Sequence, residues 1–512
     1  QIQSYRRSKS FRPCTFNTFA SGFVKLLQLQ ILMLETATFI TLLVISTAAD
    51  VVPETATLPW SEYFTQSFYH ASIVPLLLIT LLLAYFARPS TTEGIPEGFR
   101  KFQWAYLSVW SVCVAADWLQ GPYVYALYDA YGYSGPEIAQ LFVAGFGSSL
   151  AFGCVVGSVA DRFGRKSCCI AYCVLYILSC ITKHFRSYGI LMLGRITGGI
   201  ATSMLFSCFE CWLVSEHCSR YRFSNGLLSY MFGLMFTVMY CVAILSGLAA
   251  QFVADSFKFG PIREGSMIYS GGYCGPFDLS IGCLVVGMVL ISMLWKENYG
   301  SDEGEGDSAV DNFKNACRLL VSSRPMMLLC AIVACFEGSM FAFVFNWTPA
   351  LASKTYPTPH GVIFALFMMA CMCGASMSTV FSDRTKPSTR LISAFVIGCA
   401  AFLIVALVVS SQSNLKTVFF AFITFEFCCG LYFPSIGVLK SQIVPEHVRA
   451  TMYNIYRVPL NAVVMCLLLT NLSIVQCFSL NALLLSVATF SITAIMIAQS
   501  REAAEPKPGK HA

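Results

Sequence analysis

Gly157-Ser-Val-Ala-Asp-Arg-Phe-Gly-Arg-Lys166 is the stretch whose reading decides the fold. Apolar segments of the length a bilayer crossing needs, about 20 residues, lie on both sides of it. The stretch itself cannot join them. Asp161, Arg162, Arg165 and Lys166 would each cost on the order of 2.5–3.5 kcal/mol at the centre of a membrane helix. It is therefore a tight turn at a membrane surface. Its excess of bases predicts that this surface is the cytoplasmic one, which fixes the direction of every other segment.

Composition agrees with that start. Of 512 residues, 56% are hydrophobic and 12% are charged, against about 25% charged in soluble domains. Only a polytopic helical membrane protein fits, because each span must satisfy its own backbone hydrogen bonds. The net charge of +6 sits in short loops and forms no basic face with aromatics, so no nucleic acid partner is expected. The 23 cysteines fall largely inside apolar runs, as in Cys168-Cys169, Cys371-Met-Cys373 and Cys428-Cys429. With no pair of CxxC units at zinc spacing, they read as packing residues; neither a metal nor a cofactor is expected. Residues 1–25 carry Arg6, Arg7, Lys9, Arg12 and Lys25 without an acid. That composition is similar to a transit peptide, although a basic cytoplasmic tail, or sequence ahead of the true start, is the plainer reading.

Hydrophobic windows fall at 29–49 and 68–87, then at 103–126, 137–160, 167–185, 188–214, 225–250, 274–295, 325–349, 361–382, 391–410, 416–438, 450–472 and 478–498. The last twelve divide six and six around a polar stretch containing Ser301-Asp-Glu-Gly-Glu-Gly-Asp307, a hydrophilic linker with few core formers. The expected organisation is an N-terminal extension over 1–102 with one or two extra helices, a six-helix bundle over 103–295 and a cytoplasmic linker over 296–324. A second six-helix bundle over 325–498 and a cytoplasmic tail over 499–512 complete it. Loops on the side of Gly157–Lys166, with the tail, hold twenty of the 33 Lys and Arg, and the opposite loops hold six. That bias supports twelve core spans with a cytoplasmic C-terminus.

The halves echo each other. Asp161-Arg162 follows the second core helix and Asp383-Arg384 the eighth; Val214-Ser-Glu-His217 follows the fourth and Val444-Pro-Glu-His447 the tenth. Asp117 and Glu337 stand 220 positions apart, close to the 222 separating the Asp-Arg pairs. Duplication of a six-helix unit produces such a register.

Gly157–Lys166 resembles the G-x-L-A-D-R-x-G-R-K signature of the major facilitator superfamily, with Val159 in place of Leu. Leu191-Met-Leu-Gly-Arg195-Ile-Thr-Gly-Gly199 resembles its fourth-helix signature. Within the superfamily, several stretches look like the eukaryotic molybdate-anion transporter family. They are Ala115-Ala-Asp-Trp-Leu-Gln-Gly-Pro-Tyr123, Phe209-Glu-Cys-Trp212, Asn346-Trp-Thr-Pro349, Cys429-Gly-Leu-Tyr-Phe-Pro-Ser435 and Tyr456-Arg-Val-Pro459. The resemblance covers about residues 103–498. It implies an all-α major facilitator fold of two six-helix bundles, with an extra helix before them that would fit 68–87. It also implies import of molybdate by alternating access.

Ionisable residues inside a membrane are functional candidates by default. Here they are Asp117, Arg195, Glu210, Glu337, Glu426 and Arg457; the bland alternative is paired interior charges that fix helix packing. Arg457 and Arg195 come from opposite halves. A guanidinium is permanently charged and its planar fork matches a tetrahedral oxyanion. Arg457 is the expected direct ligand, with Tyr453 and Asn454 supplying donors and Pro459 a helix break nearby. Arg195 is a second ligand, or, as the superfamily resemblance implies, a proton-coupling or gating residue. Asp117, Glu337 and Glu426 would repel an anion while ionised. They read as proton carriers, since desolvation makes proton uptake available to a buried carboxylate, or as partners that hold the arginines. Gln120, Tyr123 and Trp118 are candidate lining residues beside the break expected at Pro122, with an interface role for the aromatics as the alternative. Glu210, about 10 Å from the end of its helix, reads as a gate or a partner for the Arg162/Arg165 turn.

The leading function is a secondary transporter for a small oxyanion, most simply molybdate, in the plasma membrane and acting as a monomer. Another anion or an organic solute is the alternative substrate, and a non-transporting receptor or scaffold the alternative class. An enzyme is disfavoured: no HExxH or GxSxG motif occurs, and no P-loop supports ATP-driven transport. The opening turn then gains a second role. Gly157 and Gly164 allow close packing and a tight bend. The resemblance implies a cytoplasmic latch in which Asp161 meets the N-terminus of the eleventh core helix near Arg449, where the dipole favours an anion. Ser382-Asp-Arg-Thr-Lys386, with Asp383 and Arg384, is the shorter echo. It lacks the second glycine, so the two latches are expected to be unequal.

Overall fold

Apolar runs of this length close their hydrogen bonds within helices because hydrocarbon offers no other partner. The computed structural model describes residues 67–153, 155–299, 309–353, 357–411, 414–445 and 448–504. The window at 29–49, the basic segment 1–25 and the acidic run 301–307 lie outside them. After a single turn, Phe68–Ala71, the helices are α1 (Ile73–Phe86), α2 (Phe99–Gln120), α3 (Val124–Ala130), α4 (Gly135–Gly153), α5 (Val156–Phe163), α6 (Arg165–Thr182), α7 (Tyr188–Ser215) and α8 (Asn225–Ser256). They continue as α9 (Gly275–Leu294), α10 (Ala309–Ser322), α11 (Arg324–Ala350), α12 (His360–Val380), α13 (Pro387–Val408), α14 (Leu415–Ile443), α15 (Arg449–Leu469) and α16 (Ile474–Ala504). The chain is the all-α polytopic protein that its hydropathy predicts.

Among the described residues eleven helices are long and apolar enough to cross a membrane, and twelve spans result if the bent pair α4–α5 counts as one. Helix α2, which carries Arg100, Lys101 and Asp117, is less apolar yet packs along α8 and α9. It gives way at Gly121-Pro122 to a tighter turn, Gly121–Tyr123, where proline lacks a donor and collides with the preceding helical turn.

Two large apolar clusters organise these helices. One gathers Tyr106, Trp110, Tyr172, Phe209, Trp212 and Trp295 from α2 to the end of α9; the other gathers Phe336, Phe343, Phe367, Phe422, Phe425 and Tyr432 from α11 to α14. The seam between them is crossed twice. Helix α8 packs on α12 and gives Ala243 and Ile244 to the second cluster. Helix α15 packs on α4 and gives Leu460, Val464 and Leu468 to the first.

The extra helix α1 buries a narrow stripe of Ile73, Leu76 and Thr80, spaced to share one helix face, and exposes Leu78, Leu81, Leu82 and Phe86. Its stripe lies on α12, where the Thr80 hydroxyl reaches Met369 O at 3.5 Å and Cys373 Sγ at 3.2 Å. The segment leading from it to α2 returns to the first half, where the Glu93 carboxylate accepts from Ser224, the N-cap of α8. The region after α9, expected to be a hydrophilic linker with few core formers, holds a helix in its second part. This is α10, whose Ala316 is fully buried and whose Cys317, Leu319 and Leu320 pack on the second cluster, because its apolar residues recur at helical spacing. The 21 cysteines of the described residues are unbridged, most of them buried or half-buried.

Candidate functional site

At the end opposite Gly157–Lys166, here the far end, the two halves meet backbone to backbone. A side-chain carbon placed on Gly247 of α8 would stand 2.7 Å from Gly361 O of α12, so only glycine allows this approach. The Gln251 carboxamide oxygen accepts from Gly361 N at 2.9 Å and from the Tyr123 hydroxyl at 3.0 Å. The Tyr123 ring lies against His360 and Tyr273, with centroids 5.9 and 5.8 Å away. Beside them Phe345 of α11 packs edge-on against Tyr125 and Phe142, and Phe341 against Phe146. Aromatic edges and a shared amide close this end.

Midway along the seam, Trp118 faces Phe364 at 5.8 Å, and its buried indole N–H has no hydrogen-bond partner among the described residues. The Tyr240 hydroxyl of α8 meets Cys371 Sγ of α12 at 3.8 Å. Glu426, 7% exposed, is close enough for its charge to act on both groups. Among the described residues its carboxylate makes no hydrogen bond or ion pair. Asp117 accepts from Tyr176 inside the first half. Glu337 accepts from Tyr432 at 2.9 Å and lies 3.6 Å from Lys440 Nζ. Its cationic partner is thus a lysine on α14 of the same half, not an arginine of the other half.

Arg457 sits on α15 where that helix crosses α4. It is exposed, with Nη1 3.5 Å from the position a side-chain carbon would take on Gly153. Among the described residues it has no carboxylate within ion-pair distance. Asn454 and Asn461 stand three before and four after it, on the same helix face; the Asn461 amide donates to Arg457 O at 2.7 Å. Arg195 is elsewhere. It lies on α7 and turns onto α4 of its own half, with Nε donating to Leu141 O at 3.1 Å and its guanidinium 4.7 Å from the Phe142 ring. Gly145, against Arg195, and Gly153, against Arg457, are eight residues or about 12 Å apart along α4, so the two arginines do not share one site.

Other sequence-based expectations are corrected. Gln120 does not line the seam: its amide donates to Ala116 O at 2.9 Å and to Ser280 Oγ at 3.2 Å, toward α9. Gly157 serves no close approach, since a side-chain carbon there would meet open space. Glu210 is half-buried and, among the described residues, pairs with neither Arg162 nor Arg165; Arg165 bonds Cys211 O at 3.4 Å.

The turn that opened the sequence is bound within its own half. Asp161 is taken by Arg165 at 2.7 Å, four residues on across the Gly164 bend, and not by the α15 terminus near Arg449. Gly164 has φ +95°, and a side-chain carbon there would stand 2.7 Å from a Glu297 oxygen. The Glu297 carboxylate caps α6 by accepting from Lys166 N at 2.7 Å and Ser167 N at 3.0 Å, the arrangement a helix N-terminus favours. Lys166 Nζ donates in return to Ser292 O and Trp295 O at 3.0 and 2.9 Å. In the second half Asp383 and Arg384 are exposed, and the buried Arg390 holds the turn. Its guanidinium donates to Thr385 O at 2.8 Å and to Ser435 Oγ at 3.1 Å.

Five residues that act here were missed from the sequence: Lys183, Gln251, Glu297, Arg390 and Lys440. Lys183 caps the end of α6 and Arg390 stands in the first turn of α13, and Glu297 lies in the stretch read as linker. The Glu337–Lys440 pair spans two helices with no local spacing to announce it. Among the described residues no cluster of three His, Cys, Asp or Glu side chains could hold a metal.

A family model described as sugar transporters with 12 TM matches residues 68–432. A protein named molybdate-anion transporter from Xenopus tropicalis is 32% identical over 408 residues, covering 78% of this chain and 85% of its own length. One of the same name from Takifugu rubripes is 30% identical over 418 residues, covering 76% and 84%. Among solved structures, a D-xylose–proton symporter superposes with a TM-score of 0.58 over 77% of this chain and 97% of its own, at 13% identity. An auto-inhibited POT family peptide transporter gives 0.58 over 80% and 98%, at 10% identity. At such identities the solved structures speak to the fold alone.

Proposed function

This chain belongs to the major facilitator superfamily and is a multi-pass membrane transporter of that superfamily, not an enzyme, and we propose that its substrate is a small oxyanion, molybdate, imported across the plasma membrane by alternating access. The observation that carries the reading is Arg457: a guanidinium on the seam between the halves, exposed and with no carboxylate partner among the described residues. A permanently charged planar donor so placed suits a tetrahedral oxyanion, whose charge it can neutralise while its fork bonds two oxygens. The name shared by the relatives, molybdate-anion transporter, supports the same substrate.

The seam supports the cycle. Its far end is closed by Gln251, Tyr123 and the Gly247–Gly361 contact, while at the basic end no hydrogen bond or ion pair joins the halves among the described residues. That is the arrangement of a carrier open toward the basic side. Asp161, released from Arg165, would be available to the other half when that side closes. Of the three interior carboxylates, Glu426 is the best proton carrier, being buried at the seam without a competing bond, whereas Asp117 is held by Tyr176 and Glu337 by Lys440 and Tyr432.

Uptake of labelled molybdate at nanomolar concentration, with and without sulfate, by cells expressing the protein tests this. Arg457→Lys keeps the charge but loses the fork, and is expected to lower uptake by about tenfold or more. Glu426→Gln is expected to flatten its pH dependence. Uptake no higher than in control cells, with the protein confirmed at the surface, would overturn the substrate. Undiminished uptake by Arg457→Lys would remove that residue from the site.

A further inference from the structure

From the geometry of the first half we propose a second anion site, buried between α3, α6 and α7 and separate from Arg457, in which Lys183, Arg195 and Tyr128 hold a small inorganic anion. Lys183 closes α6 and is 0% exposed, and Tyr128 on α3 is likewise 0% exposed. The Lys183 ammonium and the Tyr128 hydroxyl are both buried donors without a hydrogen-bond partner among the described residues. The ammonium stands 5.9 Å from the centre of the Tyr128 ring, and the Arg195 charge acts on both residues.

The backbone is shaped to admit these cations. A side-chain carbon on Gly194 would collide with the Thr182 hydroxyl and stand 3.1 Å from Lys183 Nζ. One on Gly145 would stand 2.7 Å from Arg195 Nη2. Gly199 presses on Gly145 O in the same way, and Gly198 would meet Ser179 Oγ at 2.8 Å. Three glycines of the Gly194-Arg-Ile-Thr-Gly-Gly199 run therefore serve to seat α7 against α4 and α6, with the two cations in the gap.

Among the described residues no carboxylate is within ion-pair distance of Lys183 or Arg195. The nearby Asp278 is bound to His184 at 3.0 Å, and the other titratable neighbours are the Cys180 thiol and Tyr131, whose hydroxyl donates to Lys183 O at 2.6 Å. A buried cation without a counter-charge is strongly destabilising, and two unsatisfied donors add to that. An anion accepting from Lys183, Tyr128 and the free edge of Arg195 removes all three costs, whereas a neutral amine would still leave both donors orphaned.

The test is thermal unfolding of the purified full chain in sodium gluconate, titrated with chloride and, separately, with molybdate. The wild type is expected to gain a saturable rise of about 2–4 °C with at least one of the two. A rise with chloride that is lost in Lys183→Met identifies a resident halide, and one confined to molybdate and likewise lost in Lys183→Met a second oxyanion site. Lys183→Met, which substitutes an apolar chain of similar length, and Tyr128→Phe are expected to fold in gluconate and to abolish or weaken the rise. Arg457→Lys is expected to retain it. No anion-dependent rise in the wild type would overturn the site and leave water or a neutral amine in its place. A rise that persists in Lys183→Met but vanishes in Arg457→Lys would put the anion at the seam, overturning this inference while leaving the proposed function standing.

Discussion

The two ends of the seam hold themselves together in opposite ways. At the far end the halves bond each other, through the Gln251 amide, the Tyr123–His360 edge and the Gly247–Gly361 approach. At the basic end each half bonds itself: Glu297 on α6, Asp161 on Arg165, and Arg390 on Thr385 and Ser435. A carrier needs to exchange these roles. The far-end contacts are made by glycine backbone, one amide and aromatic edges, which separate without stranding a buried charge. The basic-end contacts are charge-assisted and already satisfied locally, so each half moves there as a preformed unit.

Breaking the far end should have the largest effect. Gly247→Leu places a side chain where Gly361 O now sits, so that end cannot close. Uptake is expected to fall more than tenfold, and a cysteine introduced at Tyr123 should react with an impermeant maleimide applied from the far side, above the labelling of the chain's own cysteines. Unchanged uptake would show that the Gly247–Gly361 contact is not a gate.

A change at the basic end should cost stability before it costs transport. Gly164→Ala meets both a φ of +95° and the Glu297 carboxylate, and a loss of about 1–3 kcal/mol is expected. It is read as a lower unfolding midpoint in detergent, with Glu297→Gln giving a smaller loss of about 1 kcal/mol.

The smallest expected effect distinguishes the far-end loop from the seam itself. His184 bonds two acceptors, Tyr269 O through Nδ1 and Asp278 through Nε2, each at 3.0 Å. Both ring nitrogens must therefore donate, which requires the imidazolium. The Asp278 carboxylate, helped by the neighbouring Cys274 side chain and the Tyr269 carbonyl, raises its pKa from 6.5 to about 10 against the opposing effect of burial. A raised histidine stabilises fully below its unfolded value and loses that contribution as pH climbs through the folded one. The wild type is thus expected to exceed His184→Ala by about 1 kcal/mol near pH 6, with the gap closing between pH 6.5 and 10. A gap independent of pH would assign the effect to packing.

Much of the fold was legible because membrane spans announce themselves by length, and turns such as Gly157–Lys166 by charges that hydrocarbon rejects. The break at Pro122 and the bend at Gly164 follow from backbone chemistry that a sequence carries openly. The site was harder to read. Arg457 and Arg195 look alike in sequence, each a lone cation inside an apolar helix, and only helix rotation and packing put one at the seam and the other beside Lys183. Gln120 was misread because three-residue spacing from Asp117 fixes a face but not what that face meets. Glu297, Lys183 and Arg390 were missed because a charge near a helix end reads as solvated until the fold closes over it.

Molybdate counterflow tests the central claim most directly, because it needs no knowledge of the driving ion. Proteoliposomes holding unlabelled molybdate and diluted into a trace of labelled molybdate are expected to accumulate the label transiently above protein-free liposomes, with Arg457→Lys accumulating much less. Accumulation equal to that of protein-free liposomes, by protein shown to be folded and inserted, would contradict oxyanion transport across this seam.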